Sequence, residues 1–127
     1  MVWYPSADDL IDINIMCLDL MREKHPHKLL GTRRAIQSLI DAMVREESKG
    51  LMFQAAFLLK KMVYLHFFDG ANHRTAYVAA KMFLRRNDKR FRVDQWEIAY
   101  PFISALEVRS IEETQRWIES GTSEESQ

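Results

Sequence analysis

Apolar side chains recur along this chain at intervals of three and four residues, the spacing that places them on one face of an α-helix. The clearest stripe runs from Arg33 to about Glu47 and consists of Ala35, Ile36, Leu39, Ile40, Met43 and Val44. We find no strand-rich region and no internal repeat. The pattern therefore predicts an all-α, single-domain bundle of about six helices.

One predicted helix is apolar around most of its circumference. Between Phe53 and Leu65 only three side chains are strongly polar: Gln54, Lys60 and Lys61. A helix with a single apolar stripe lies at the surface, whereas a helix that is apolar on nearly every side is surrounded by other helices. We therefore expect this segment to be the central buried helix of the bundle and to end at His66.

The first and last helices carry N-terminal capping signals. Ser6 is suited to cap a first helix that runs to about Lys24, with acidic residues in the first turn, where the helix dipole favours them. Ser110 and Glu113 have the spacing of a capping box, in which each side chain accepts a backbone N–H from the other end of the turn. A last helix is therefore expected after Ser110.

A shorter helix is expected before the last one. Asp94 is suited to cap a helix that starts at Gln95. Pro101 lies inside that apolar pattern and lacks a backbone N–H. It therefore predicts either a kink or a restart of the helix with proline in its first turn.

The composition suits one domain with a packed core. The chain has 127 residues, of which 47% are hydrophobic. We assign a single domain to residues 1 to 127, with its core from about 6 to 119 and a disordered tail from 120 to 127. Cys17 is the only cysteine, so no internal disulfide can form, and we expect it to be a small core residue.

The N-terminus and the lack of a long apolar segment favour a soluble, cytoplasmic protein. The opening residues, MVWYPSADDL, include no basic region, and Asp8, Asp9 and Asp12 interrupt any apolar run, so we expect no signal peptide. No segment approaches the roughly 20 apolar residues of a membrane span. Lys plus Arg and Asp plus Glu are 18 each, so the net charge is zero and attracts neither nucleic acid nor an acidic membrane.

Chemically active side chains are concentrated where the central helix meets the next one, in LHFFDGANHRTAYVAAKMF, residues 65 to 83. The turn holds five polar side chains: His66, Asp69, Asn72, His73 and Arg74. A helix N-terminus exposes free N–H groups and a partial positive charge, which together bind anions. Gly70 and Ala71 are small enough for a phosphate to approach the backbone. Arg74 opposes the helix dipole there, and pairing with a phosphate would explain its presence.

These residue types suit the attack of a hydroxyl on a phosphate. The imidazole of His66 can take the proton of the hydroxyl, while the turn and Arg74 stabilise charge on the transferred group. A purely structural interpretation stands beside this one with similar weight. In that interpretation His66 closes the end of one helix, Asn72 caps the next and Arg74 is a surface charge.

The stretch resembles the signature of the Fic/Doc superfamily, roughly His-Pro-Phe-x-Asp/Glu-Gly-Asn-Gly/Lys-Arg. The chain matches it at His66, Phe68, Asn72 and Arg74. The Arg-Thr-Ala that starts at Arg74 is similar to that of death-on-curing (Doc) proteins. The flanking segments, AAFLLKKMVYLHFF and AYVAAKMFLRRND, are similar to the family's central helix and the helix after its motif. The resemblance covers about residues 6 to 119, the first 50 loosely.

The resemblance implies a transferase that uses ATP or another nucleotide. Fic proteins transfer AMP to a hydroxyl of a target protein, and Doc proteins transfer the γ-phosphate, with a translation elongation factor as the known target class. In this chain His66 would be the base, residues 70 to 73 the anion hole and Arg74 a phosphate contact. Asn72 would shape the turn or contact phosphate, and His73 would either touch phosphate or lie exposed. A toxin of this kind would be inhibited by a separate antitoxin.

The chain departs from the signature at the metal position. Gly70 stands where the family has its metal-binding carboxylate, and Asp69 lies one residue earlier. We name Asp69 as the candidate Mg²⁺ ligand, with a solvated turn acid as the alternative. Ala71 replaces a glycine and restricts positive φ. These departures leave open a second hypothesis, a catalytically degenerate module of the same fold that binds or regulates a partner.

Two basic features have alternative interpretations. The segment LLGTRRAIQSL resembles the family's target-docking flap, so Arg33 would contact nucleotide or target, or else be a solvated charge. The basic cluster consists of Arg85, Arg86, Lys89, Arg90 and Arg92. It suggests a nucleic-acid surface but contains only one aromatic residue, and cations are favoured at a helix C-terminus. We therefore expect a solvated helix end and no nucleic-acid partner.

Overall fold

The apolar stripes form six α-helices in a computed structural model that describes residues 1–21 and 27–122. The helices are α1 (Ala7–Leu20), α2 (Arg33–Val44), α3 (Leu51–Leu65), α4 (Asn72–Arg86), α5 (Trp96–Ser104) and α6 (Ile111–Ser120). Single turns of 3₁₀-helix follow α2 at Glu47–Lys49 and α5 at Leu106–Val108. No strand occurs in the described ranges, so the prediction of an all-α bundle is confirmed.

Helix α3 is the centre of the bundle and packs against α2, α4 and α6. Its buried side chains include Ala55, Ala56, Leu58, Leu59 and Met62. Gln54 is also fully buried, and its Nε2 donates hydrogen bonds to the Tyr4 hydroxyl (2.8 Å) and the Met43 carbonyl (3.0 Å). The prediction of a central buried helix is therefore confirmed. Hydrogen bonds satisfy the amide nitrogen of Gln54, whereas its buried Oε1 has no hydrogen-bond partner among the described residues.

The predicted caps of the first and last helices are present. The Ser6 side chain accepts the Asp9 N–H, and the Asp9 carboxylate accepts the Ser6 N–H. Ser110 and Glu113 form the same reciprocal arrangement at the start of α6. Helix α1 ends at Leu20, earlier than expected, and the predicted end near residue 24 lies outside the described residues.

The start of α5 differs from the prediction. The helix begins at Trp96 after Gln95, and no side chain caps it. Asp94 instead pairs with Lys81 Nζ at 3.0 Å, and this contact holds the pKa of the Asp94 carboxyl below its usual value. Pro101 lies inside α5 and does not restart it. The carboxylate of Asp94 therefore forms an ion pair with α4 and does not cap α5. Capping rules consider only residues within one helical turn and cannot foresee such a partner.

The remaining expectations concern the core and the chain end. Cys17 is fully buried in α1, as expected for a small core residue. Helix α6 ends at Ser120, and residues 123 to 127 of the predicted tail lie outside the described residues. Among the described helices, none combines the length and apolar character that crossing a membrane requires.

Candidate functional site

The junction turn, residues 66 to 71, is fixed in the core by two aromatic side chains. Phe67 and Phe68 are 5% and 1% exposed, whereas His66 beside them is exposed. The backbone around Phe68 pairs with the segment before α2, because Leu30 N–H donates to Phe67 O (2.8 Å) and Asp69 N–H donates to Lys28 O (3.0 Å). The buried phenylalanines thus hold the polar residues of the turn at the surface.

Both ends of the junction turn have left-handed backbone conformation. His66 follows α3 with φ of 50°, and Ala71 precedes α4 with φ of 58°. Such angles cost a residue with a Cβ atom roughly 1–2 kcal/mol, so the surrounding contacts must hold them. Ala71 therefore adopts positive φ although its Cβ atom disfavours this conformation.

Asn72 closes the junction turn with its side chain. Its Oδ1 accepts the Phe68 N–H at 3.2 Å, and its Nδ2 donates to the Phe68 carbonyl at 2.8 Å. Asn72 is the first residue of α4 and does not cap it, so the alternative of an Asn72 N-cap is wrong. Of the two roles that the resemblance allows, the structure shows the shaping of the turn.

The start of α4 has no side-chain cap. The first N–H of the helix to meet a backbone carbonyl is that of Thr75, which donates to Ala71 O at 2.9 Å. Three N–H groups precede it, those of Asn72, His73 and Arg74, and a helix has no internal acceptor for them. Side chains cap α1, α2 and α6, whereas α3 and α5, like α4, begin without a side-chain cap. An open N-terminus of this kind is suited to hold an anion.

We expect Asn72→Asp to lower the free energy of unfolding by about 1–3 kcal/mol, because the Phe68 carbonyl would lose its donor and face a carboxylate. The added negative charge should also weaken phosphate binding at the same turn. Urea unfolding and a phosphate titration measure the two effects. Asn87→Asp is a matched control, since Asn87 makes a similar pair of bonds to Trp3 at the opposite end of α4. If both variants lose phosphate binding equally, the phosphate does not bind at the junction turn.

His66 and His73 border one cavity of about 510 Å³. Their rings are arranged edge to face with centroids 6.4 Å apart. The remaining lining residues come from α3, α5, the 3₁₀ turn after α5 and the start of α6, and they include Lys61, Tyr64 and Glu107. The cavity has the size of a small-molecule site, and it places an exposed imidazole beside a mixed polar and apolar wall.

Burial lowers the pKa of His73, and the positive charge of His66 lowers it further. Because the folded pKa lies below the ordinary value of 6.5, the unfolded chain binds this proton more readily. The contribution to stability is therefore present above about pH 6.5 and is lost as pH falls through the folded pKa of His73.

We expect His66→Gln to raise the pKa of His73, although not to its ordinary value, since burial is the larger cause. An NMR titration of the His73 ring in both proteins measures the change. An unchanged pKa of His73 would show that the charge of His66 does not act on the His73 ring.

Arg74 does not line the cavity of His66 and His73. Its guanidinium lies over the ring of Trp96 in α5, 5.4 Å from the centroid, in a cation–π contact. His73 and Arg74 are consecutive on α4, and helical geometry turns them to different sides. The structure thus brings His66 and His73 together and holds Arg74 on a neighbouring side of the same helix start.

Asp69 is an exposed carboxylate in the junction turn. In the described part of the chain, no group of three or more His, Cys, Asp and Glu side chains is placed to hold a metal. Mg²⁺ commonly binds through one or two carboxylates together with substrate phosphates and water. The described residues therefore do not fit a metal held by protein ligands alone, and Asp69 is one carboxylate that could hold a magnesium ion only together with substrate phosphates and water.

A buried polar network behind the junction turn was not anticipated from the sequence. Asn14 of α1 is fully buried, and its Nδ2 donates to Gly70 O (2.8 Å) and Thr75 Oγ1 (3.1 Å). His27 Nδ1 lies 2.8 Å from Asn14 Oδ1. One signal was available, because Asn14 lies one position after Ile13 and three before Cys17, on a helix whose apolar residues at this spacing face the core.

Two basic features lie away from the cavity. Arg33 forms an ion pair with Asp8, and both side chains are largely exposed. The basic cluster (residues 85 to 92) surrounds the C-terminal end of α4, where Arg86 lies over the ring of Trp3 at 5.1 Å. The nucleotide or target contact of Arg33 and the solvated character of the cluster stay predictions.

The geometry of the junction turn carries the functional argument, since no relative supplies one. His66 is exposed, α4 is uncapped and Asn72 shapes the connection between them. Comparison of the chain with protein-family models, curated proteins and solved structures finds no match.

Proposed function

We propose that the protein is a Fic/Doc-like transferase that moves a phosphate or a nucleoside monophosphate from a nucleotide to a hydroxyl of a target protein. The position of His66 carries the proposal. Its exposed imidazole borders the cavity of about 510 Å³ and lies one short turn before the uncapped N-terminus of α4. A general base next to unpaired backbone donors is the arrangement that phosphoryl transfer needs.

In the proposed reaction His66 takes the proton of the target hydroxyl while the oxygen of that hydroxyl forms a bond to a phosphorus atom. Attack at the γ-phosphorus breaks its bond to the bridging oxygen and releases the nucleoside diphosphate. Attack at the α-phosphorus of ATP transfers AMP and releases pyrophosphate. The free N–H groups at the start of α4 stabilise negative charge on the transferred group, and Arg74, held by Trp96, is the candidate contact to the phosphates.

The partners follow from the same proposal. The nucleotide is ATP or a relative of it, and Asp69 would hold the Mg²⁺ that accompanies such a nucleotide. The target is a protein with an accessible hydroxyl, with a translation factor as the first candidate. A toxin with this chemistry acts on its own cell, so we propose a separate antitoxin that blocks it.

The proposal is tested with purified protein, cell extract and ATP labelled at either the α- or the γ-phosphate. We expect one extract protein to become labelled, and mass spectrometry of that protein then separates phosphate from AMP. His66→Ala should remove the label. If no protein is labelled from either ATP, and His66→Ala behaves like the wild type, the proposed activity is excluded.

A binding or regulatory module of the same fold is the second candidate. Two observations favour it, namely Gly70 at the position of the metal-binding carboxylate and the contact of Arg74 with Trp96. Calorimetry with ATP and Mg²⁺ separates the candidates. Target binding without Mg²⁺-dependent nucleotide binding supports the module, and tight Mg²⁺-dependent binding of ATP counts against it.

A further inference from the structure

Asn14 makes three hydrogen bonds from a fully buried position, and their directions can be assigned. The Gly70 carbonyl can only accept, so the amide nitrogen of Asn14 must face it, at 2.8 Å. The amide oxygen therefore faces His27, and Nδ1 of that imidazole must be the donor at 2.8 Å. The neutral Nδ1–H form and the imidazolium both satisfy this contact, so charging of His27 leaves it intact.

The bond to Asn14 fixes the orientation of the peptide that joins Gly70 to Ala71. In a planar trans peptide the carbonyl and the following N–H point in opposite directions. Because the Gly70 carbonyl points toward Asn14 on α1, the Ala71 N–H points away from α1. This N–H directly precedes the three free N–H groups at the start of α4, so it extends the same set of donors.

The opposite orientation of this peptide would be less strained. A rotation of the peptide plane by half a turn changes ψ of Gly70 and φ of Ala71 together. It would bring Ala71 out of the left-handed region, where φ is 58°, and glycine at position 70 offers little resistance. A rotated peptide would present the Gly70 carbonyl oxygen where the Ala71 N–H now is, and this oxygen would repel a phosphate.

We infer that Asn14 is a positioning residue for the phosphate site, because it holds the Gly70–Ala71 peptide with its N–H available and its carbonyl turned away. His27 holds the Asn14 amide in the required orientation. The inference rests on the proposed function, since it assigns the residue that prepares the anion hole of that reaction.

Two NMR measurements on Asn14→Ala test the inference. Positive φ brings the amide and α protons of Ala71 close together and gives a strong NOE between them. We expect this NOE to weaken in the variant, since the peptide is free to rotate. With inorganic pyrophosphate as the probe, the shifts of the amides from 71 to 74 should report affinity about tenfold weaker than in the wild type.

The controls separate positioning from a general loss of stability. Asn87→Ala removes three part-buried side-chain hydrogen bonds at the other end of α4. In this variant the NOE at Ala71 and the affinity for pyrophosphate should both match the wild type. Adding Ala71→Gly to Asn14→Ala should restore part of the affinity, because glycine removes the strain that favours rotation. If Asn14→Ala does not fold, Asn14→Asp replaces it, since its carboxylate keeps His27 as a partner and repels the Gly70 carbonyl.

The outcomes are distinct. An unchanged NOE at Ala71, or equal losses of affinity in Asn14→Ala and Asn87→Ala, overturns the inference. If wild-type protein does not bind pyrophosphate at these amides, the proposed phosphate site falls, while the NOE decides the orientation of the peptide by itself.

Discussion

Replacing His66 with glycine is expected to slow transfer to the target hydroxyl by about 10²–10⁴-fold, the contribution of a positioned general base. The same change should raise the free energy of unfolding by about 0.5–1 kcal/mol. The reason is that His66 is exposed and has φ of 50°, a conformation that glycine adopts without the strain caused by a Cβ atom. A labelled-ATP assay and urea unfolding measure the two effects.

Asp88→Gly is the matched control for this pair of measurements. Asp88 is exposed, has φ of 59° and lies beyond the other end of α4. The Asp88→Gly variant should gain stability, but no more than His66→Gly does, because aspartate tolerates positive φ better than histidine. It should also keep full transfer activity. Retention of activity in His66→Gly would remove His66 from the role of base. Loss of stability in that variant would show that its imidazole makes contacts that support the fold.

Phe68→Ala is expected to lower the free energy of unfolding by about 3–5 kcal/mol, a large part of the roughly 5–15 kcal/mol of a typical domain. Phe68 is 1% exposed, and its ring lies near those of Phe67 and His27, at centroid distances of 6.4 and 5.7 Å. Its backbone is also the partner of the Asn72 side chain. Denaturant unfolding monitored by circular dichroism measures the loss.

Phe57→Ala provides the comparison within the central helix. Phe57 lies on α3, is partly exposed and has Lys61 Nζ 5.8 Å from its ring centroid. Phe57→Ala should lower the free energy of unfolding clearly less than Phe68→Ala does, since less apolar surface becomes exposed to water. Similar losses in the two variants would mean that the junction turn is not anchored through Phe68. In that case the exposure of His66 would need another explanation.

The sequence predicted which segments form helices, but it did not always predict the residues at which those helices begin and end. The apolar periodicity and the reciprocal caps at Ser6 and Ser110 depend on residues three or four apart, so they can be recognised locally. The expected cap by Asp94 was wrong because its carboxylate pairs with Lys81 of α4, which is distant in sequence. Propensity rules contain no information on such a partner.

The candidate site shows the same division. Its location at the end of the central helix follows from the sequence, because polar side chains between two apolar segments must lie at the surface. The contacts that each side chain makes within the site do not follow from the sequence. Asn72 turns back to Phe68, and Arg74 lies over Trp96 of α5, and each contact depends on where the packed helices place the partner. Asn14 was overlooked because its partner Gly70 is 56 residues away.

The sequence by itself determined an all-helical bundle with one helix at its centre, since hydrophobic periodicity alone decides which faces must leave water. It also determined that a histidine follows that helix in a short polar turn. Only the tertiary structure decided that His73 shares a cavity with His66, and that a buried asparagine on α1 sets the orientation of the peptide before α4. These features arise from contacts between segments far apart in the chain, which form only when the core packs.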